Sequence, residues 1–335
     1  MAQLLVVGSR PSSSFAPSRH QPFYIAPTRK ISYLQSMLTG IHFLLTYKCL
    51  YECDHCFLYC GPNLEGTFTI DQVEKAIVQG IEAGIDTIYV EGGEPFLFYP
   101  LMIETLRLAK TLHLKTGIVT NCYWATSERD AEIWLRPIIE IGLDDLSVSD
   151  DEFHSDDPEH SPAKIAFKAA KRLGLPVESI CIEKPIALPR GSVKKGEPVI
   201  GGDVIFKGRA VDKLTEGLPR RRFDCFTECP HEELAAPGRI HLDPQGNVFV
   251  CQGLSIGNIW QKPLAQIMKE YRPEKHPIIG PLLKGGPAEL ARIFGLPEGE
   301  DYVDHCHLCY LIRKKLIDQF PDYLCPKQVY GLAQE

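Results

Sequence analysis

No run in this chain reaches the roughly 20 apolar residues needed to cross a bilayer, so no membrane partner is expected. No secretory leader is expected either. Met1-Ala2-Gln3-Leu4-Leu5-Val6-Val7 is too short an apolar run and has no basic flank. That absence bears on the 12 cysteines among 335 residues. Without export they are expected to stay reduced in a cytoplasm rather than pair as disulfides. A basic excess is lacking as well. Lys and Arg number 36 against 43 Asp and Glu, a net charge of −7, whereas a nucleic-acid backbone calls for a basic footprint. The basic run Arg220-Arg221-Arg222 is local and reads as solvated surface. What remains is the composition of an ordinary globular protein, long enough for one large domain or two modest ones.

Three of the cysteines carry the most information. Cys49, Cys53 and Cys56 stand in a C-x3-C-x2-C pattern and can give three thiolates to a [4Fe–4S] cube. A structural cube takes four thiolates, so a three-thiolate loop leaves one iron open to something else. The competing reading is zinc, which favours paired C-x2-C units and four ligands; Cys60 or His55 would then be the fourth. The loop follows an apolar, strand-like run, Ile41-His42-Phe43-Leu44-Leu45, and the next strand ends in Gly92-Gly93-Glu94-Pro95. In isolation that glycine pair reads equally as a simple strand-to-helix turn. With Phe57 directly after the third cysteine, the combination resembles the radical S-adenosylmethionine (radical SAM) superfamily.

Residues 1–36 are rich in Ser, Pro and Arg without periodicity and read as an N-terminal extension. Strands and helices then alternate across 37–215. Strands are expected at 41–47, 87–90, 116–120, 146–149 and 177–182, with a sixth at Val204-Ile205-Phe206. Helices are expected from Thr69, with Gln72 completing a capping box, near 100–112 and 129–140, and from Ser161-Pro162 to Leu173. Such alternation means a parallel sheet with helices outside; a full barrel or a doubly wound sheet fits it equally. The resemblance implies an α/β fold of a particular kind, a partial (β/α)6 barrel.

Beyond 215 the rhythm changes. Ile240 and Leu242, then Val248 and Val250, alternate around the turn Asp243-Pro244-Gln245-Gly246 and read as a hairpin. Residues 216–335 are expected to form a smaller α+β domain of hairpin plus helices.

In the superfamily the open iron binds the amino and carboxylate groups of SAM. The resemblance therefore gives Cys49, Cys53 and Cys56 both metal and catalytic duty, and places Phe57, Gly92, Gly93, Glu94 and Pro95 in the cofactor site. Gly92 and Gly93 let backbone approach a ligand, and Glu94 is expected to shape the site. Later strand ends contact ribose and methionine carboxylate, which points to Asn121, Ser149 and Asp150. Cys122 stands where glycine is common after such an Asn. The stretch Asp150-Asp151-Glu152-Phe153-His154 reads as an acid/base or substrate-binding group, or as a solvated loop. Arg209 reads as a carboxylate anchor or as surface.

The C-terminal cysteines resemble the auxiliary-cluster modules called SPASM and Twitch: Gly246-x4-Cys251, a cysteine upstream, and Cys306-x2-Cys309. Six cysteines fall short of a two-cluster SPASM module and favour the one-cluster Twitch form, a second [4Fe–4S] held by Cys229, Cys251, Cys306 and Cys309. Cys225 stands as the alternative to Cys229, Cys325 is unassigned, and a zinc ribbon is the competing reading.

The implied activity is reductive cleavage of SAM to a 5′-deoxyadenosyl radical that takes a hydrogen atom from an unactivated C–H bond. Peptide or protein modification (oxidation, crosslinking or epimerisation) is the first expectation and small-molecule dehydrogenation the second. An iron–sulfur electron carrier or redox sensor is the alternative of another class. A reductant such as flavodoxin or ferredoxin is an implied partner, and oxygen sensitivity is implied with it.

Overall fold

A computed structural model describes residues 38–189, 200–295 and 301–332; the expected N-terminal extension falls outside them. The apolar run ahead of the cysteine loop forms β1 (Gly40–Leu44), with Ile41 and Phe43 fully buried. Beside it lie β2 (Thr87–Glu91), β3 (Lys115–Thr120), β4 (Asp145–Ser149) and β5 (Val177–Ile180). All are parallel and in that order. The crossovers contain α1 (Ile70–Ala83), α2 (Tyr99–Thr111), α3 (Glu128–Ile141) and α4 (Pro162–Arg172). The predicted capping box closes the start of α1. Gln72 donates its amide N–H to Thr69 Oγ1 at 3.2 Å, and Thr69 donates its own to Gln72 Oε1 at 2.8 Å. Ser161 caps α4 by accepting the Lys164 N–H at 3.1 Å.

Strand residues alternate between two environments. Ile41, Phe43, Ile88, Val90, Ile118, Leu146 and Val148 join the core that packs on the helices. The residues between them are polar. His42 stacks on Tyr89, the Tyr89 hydroxyl donates to Asp145 at 3.2 Å, and so does the Ser147 hydroxyl at 3.1 Å.

The expected sixth strand at Val204-Ile205-Phe206 does not form. That segment runs into Lys207, Gly208 and the short α5 (Arg209–Lys213), which fasten it to the cysteine loop. The free edge of β1 pairs instead with β6 (Arg239–Leu242), in parallel, from Gly40 opposite Arg239 to Phe43 opposite Leu242. β7 (Asn247–Cys251) and β8 (Leu254–Asn258) follow antiparallel. The predicted hairpin is β6–β7, and it extends the main sheet to the order β8-β7-β6-β1-β2-β3-β4-β5.

Helix α6 (Leu264–Glu270) packs on α1 and joins the first core through Leu264 and Ile267, while α7 (Ile279–Phe294) and α8 (His305–Leu316) build a second core containing Phe226, Phe249, Ile279, Leu308 and Tyr310. The fold is mixed α/β, a parallel partial barrel with a C-terminal supplement of strands and helices. Among the described residues no helix is long and apolar enough to cross a membrane.

Candidate active site and a second cysteine site

The loop after β1 and the carboxyl ends of β2, β3 and β4 enclose a cavity of about 150 Å³. Cys49, Cys53, Cys56, Phe57, Gly92, Gly93, Asn121 and Ser149 all line it, so most of the sequence-predicted cofactor residues meet in one place. Sulfur atoms there face N–H donors. The Tyr51 amide and the Asn121 side chain each donate to Cys49 Sγ at 3.4 Å, and the Cys60 amide to Cys56 Sγ at 3.4 Å. Donors of this kind stabilise thiolate, the form that binds metal. Without metal, burial pushes the Cys49 thiol up to about 11 and raises Cys53 as well. Cys60 lines the same cavity and sits against Cys56; the hydrogen bond from Cys60 draws the Cys56 thiol below its ordinary range. The residues present fit a cluster held by three thiolates beside an open space.

Gly92 and Gly93 face the cavity, and the cysteine loop packed behind them leaves no room for a side chain. The Gly93 N–H donates to Thr46 O at 2.7 Å and the Glu94 N–H to Lys48 O at 2.9 Å. A Cβ on Gly93 would lie 2.0 Å from Lys48 O, and one on Gly92 would lie 2.6 Å from Thr46 O, at a φ of +125°. The motif staples β2 to the cysteine loop. Glu94 and Pro95 do not line the cavity. Fully buried, Glu94 accepts from the Asn121 N–H at 2.8 Å, the Thr120 hydroxyl at 2.9 Å and the Phe96 N–H at 3.0 Å. It holds the end of β3 so that Asn121 faces inward. Burial raises its carboxyl to about 7 against those bonds. Cys122 adopts a φ of +62°, the left-handed conformation that accounts for glycine being common there.

Asp150 and Arg209 also take structural roles. Asp150 accepts the Ser161 hydroxyl at 2.7 Å and does not reach the cavity. Arg209 is no substrate anchor: 7% exposed, it donates to Cys53 O at 2.9 Å and Cys60 O at 2.7 Å, clamping both sides of the loop. The acidic stretch contributes Asp151 and His154, whose Nδ1 and Oδ1 are 2.7 Å apart. His154 and His55 both line the cavity, and burial lowers the His55 imidazole to about 4.

The second group of predicted ligands also converges. Cys229, Cys251, Cys306 and Cys309 line one pocket among β7, α8 and the segment before β6. Cys225 is exposed and Cys325 packs near Asp243, both outside the pocket lining. Sequence reasoning missed two cations here. Lys207 is 3% exposed; its Nζ lies 2.7 Å from Gln252 Oε1, 3.2 Å from Glu232 and 3.6 Å from Cys251 Sγ. Arg313, 1% exposed, donates to Gln252 O at 3.1 Å and approaches Cys251 Sγ to 4.0 Å. Burial opposes the Lys207 ammonium, yet Cys251 and Glu232 hold it well above its usual range. Four thiols under two buried cations suit an anionic metal–thiolate group. Lys207 also lies 5.7 Å above the Phe57 ring, so one segment touches both cysteine sites.

A parallel sheet whose carboxyl end carries a three-thiolate loop defines the class, a barrel built around a cysteine-ligated cofactor. Residues 43–183 match the family model of the radical SAM superfamily, a family that implies a [4Fe–4S] cluster and SAM. Two curated relatives from Bacillus subtilis (strain 168) match parts of it. The putative peptide biosynthesis protein YydG is 22% identical over 112 residues, 33% of this chain and 35% of that protein. The antilisterial bacteriocin subtilosin biosynthesis protein AlbA is 33% identical over 79 residues, 24% of this chain and 17% of that protein. The chain thus spans well under half of each. Among solved structures, native anSMEcpe with bound AdoMet and Cp18Cys peptide aligns with a TM-score of 0.44 at 12% identity, covering 88% of this chain and 98% of that one.

Proposed function

We propose that this protein is a radical SAM enzyme that modifies a peptide or protein side chain, with a second iron–sulfur cluster assisting. The observation that carries the reading is the convergence of Cys49, Cys53 and Cys56 with Asn121 and Ser149 on one cavity, while four more thiols gather beneath Lys207 and Arg313. When bound, the first cluster and SAM supply a 5′-deoxyadenosyl radical that removes a hydrogen atom from substrate. The chain's own residues do the rest. Cys49, Cys53 and Cys56 hold the metal, Arg209 and the bonds from Gly93 to Thr46 and from Glu94 to Lys48 fix the loop, and Glu94 fixes Asn121. Cys229, Cys251, Cys306 and Cys309 are the ligands assigned to the second cluster, which would accept an electron from oxidised substrate or relay one. A peptide is favoured as substrate because one relative is named as a putative peptide biosynthesis protein and the other as a bacteriocin biosynthesis protein.

The experiment is anaerobic reconstitution with iron and sulfide, reduction, and assay for 5′-deoxyadenosine, comparing wild type with a Cys49→Ala/Cys53→Ala/Cys56→Ala variant. The nucleoside should appear only with wild type. Its absence from a protein that carries intact clusters would leave an electron carrier or redox sensor instead.

A further inference from the structure

The polar face of the sheet holds a group that the radical reading does not use. His42 on β1, Glu91 at the end of β2 and His241 on β6 bring one ligand atom each to within 4.8 Å of one another. The strand register produces this: His42 pairs directly with His241, and Glu91 stands two residues beyond Tyr89, the other partner of His42. His42 Nδ1 is 3.2 Å from Glu91 Oε2, and His241 Nε2 is 3.3 Å from Glu91 Oε1. Glu91 also lines the cavity of the cysteine loop, while the His241 side chain is 6% exposed.

Hydrogen bonds from the two imidazoles account for these contacts only in part. His42 Nδ1 is buried without a partner in hydrogen-bond geometry, although Glu91 is near. Around His241 the donors are set by Lys207. Its ammonium can only donate, so at 2.7 Å it fixes the Gln252 oxygen toward itself and turns the Gln252 amide nitrogen to His241 Nε2, 3.4 Å away. A Gln amide nitrogen donates, which makes His241 Nε2 the acceptor. In the tautomer that accepts from Gln252, that atom faces Glu91 Oε1 as a second acceptor. A cation reconciles the arrangement. Two ligands about 2.1 Å from a tetrahedral ion stand about 3.4 Å apart, close to both observed separations. Two imidazoles and one carboxylate suit zinc or another first-row divalent ion and leave coordination positions open.

We propose that His42, Glu91 and His241 bind a divalent transition-metal ion, separate from the cysteine sites, at the wall of the active cavity.

Manganese(II) is the probe, because it is an oxygen- and nitrogen-seeking ion that avoids thiolates. The full chain, anaerobically reconstituted, is titrated with it while the six-line EPR signal of free manganese is followed. Wild type should withdraw about one equivalent, and zinc should release it, as the affinity order of these ions requires. His241→Gln and His42→Gln should each abolish the withdrawal with iron content unchanged, which shows that the fold and cysteine sites persist. Asp151→Asn, in the neighbouring His55–Asp151–His154 group, should leave it intact. No withdrawal by wild type would overturn the proposal. So would withdrawal that survives both histidine variants or disappears in Asp151→Asn. None of these outcomes depends on whether the protein cleaves SAM.

Discussion

The ammonium of Lys207 stands 3.6 Å from the sulfur of Cys251, inside a pocket where water cannot screen it. A buried positive charge beside a ligand thiolate favours the reduced, more negative cluster. Replacing Lys207 with Met keeps length and removes the charge. At an effective dielectric of about 20 and a separation of about 5 Å, one charge is worth about 3 kcal/mol, which corresponds to a lowering of the potential of the proposed second cluster on the order of 100 mV. EPR-monitored redox titration of Lys207→Met checks this. An unchanged potential with full iron content would show that Lys207 only supports Glu232 and Gln252.

Gly93 has no room for a methyl group. Its Cβ would sit 2.0 Å from Lys48 O, and backbone on both sides cannot move without opening the bond from the Gly93 N–H to Thr46 O. Gly93→Ala should therefore lose the iron of the first site, measurable as a drop of about half the cluster iron, while the second site keeps its own. Retention of all the iron would mean that the staple is slack.

How far the sequence told this in advance depended on the kind of signal. The cysteine spacing, the Gly-Gly-Glu-Pro turn and the capping box at Thr69 are local, and each appears in place. Pairings between distant segments were not legible. Val204-Ile205-Phe206 has the β-branched, apolar character of a strand, yet it forms none and leads instead into α5 beside the cysteine loop, because that choice is made by tertiary contacts. Glu94 read as a cavity residue because it sits in a cavity motif, and only the fold shows its carboxylate turned to the end of β3. Lys207 and Arg313 look like ordinary surface cations in sequence. His42 and Glu91 left a faint mark, as polar residues at alternate positions of apolar strands.

Asp243, in the turn between β6 and β7, gives a prediction at a residue that lines neither cysteine pocket. Its carboxyl is buried, accepts from the Tyr47 hydroxyl at 3.0 Å and from Asn247 at 2.9 Å, and is pushed up to about 6, chiefly by burial. A carboxyl whose folded pKa is raised contributes stability that is fully present below its unfolded value and is lost as pH rises through the folded value. Between about pH 4 and pH 7 this group should lower unfolding free energy by about 3 kcal/mol, at about 1.4 kcal/mol per pKa unit. In Asp243→Asn that portion of the slope should vanish. Urea unfolding of wild type and variant across this range, under argon, makes the comparison; parallel curves would refute it.

The choice between Cys225 and Cys229 separates cleanly, because the two thiols sit in different surroundings. Cys229 shares its pocket with Cys251, Cys306 and Cys309, whereas Cys225 is exposed beside Asp224 at 3.9 Å. Cys229→Ser should therefore cut the reconstituted iron from about eight to about four per chain, the content of one [4Fe–4S] cluster, and leave the SAM-perturbed EPR signal of the first cluster in place. Cys225→Ser should change neither. The reverse pattern would move the ligand to Cys225 and require the segment before β6 to rearrange on metal binding. If both variants bound the full iron complement and zinc were found in neither, Cys251, Cys306 and Cys309 would hold the cluster as three ligands. That cluster too would then have an iron open to substrate, and the electron-accepting role given to it would become a binding role.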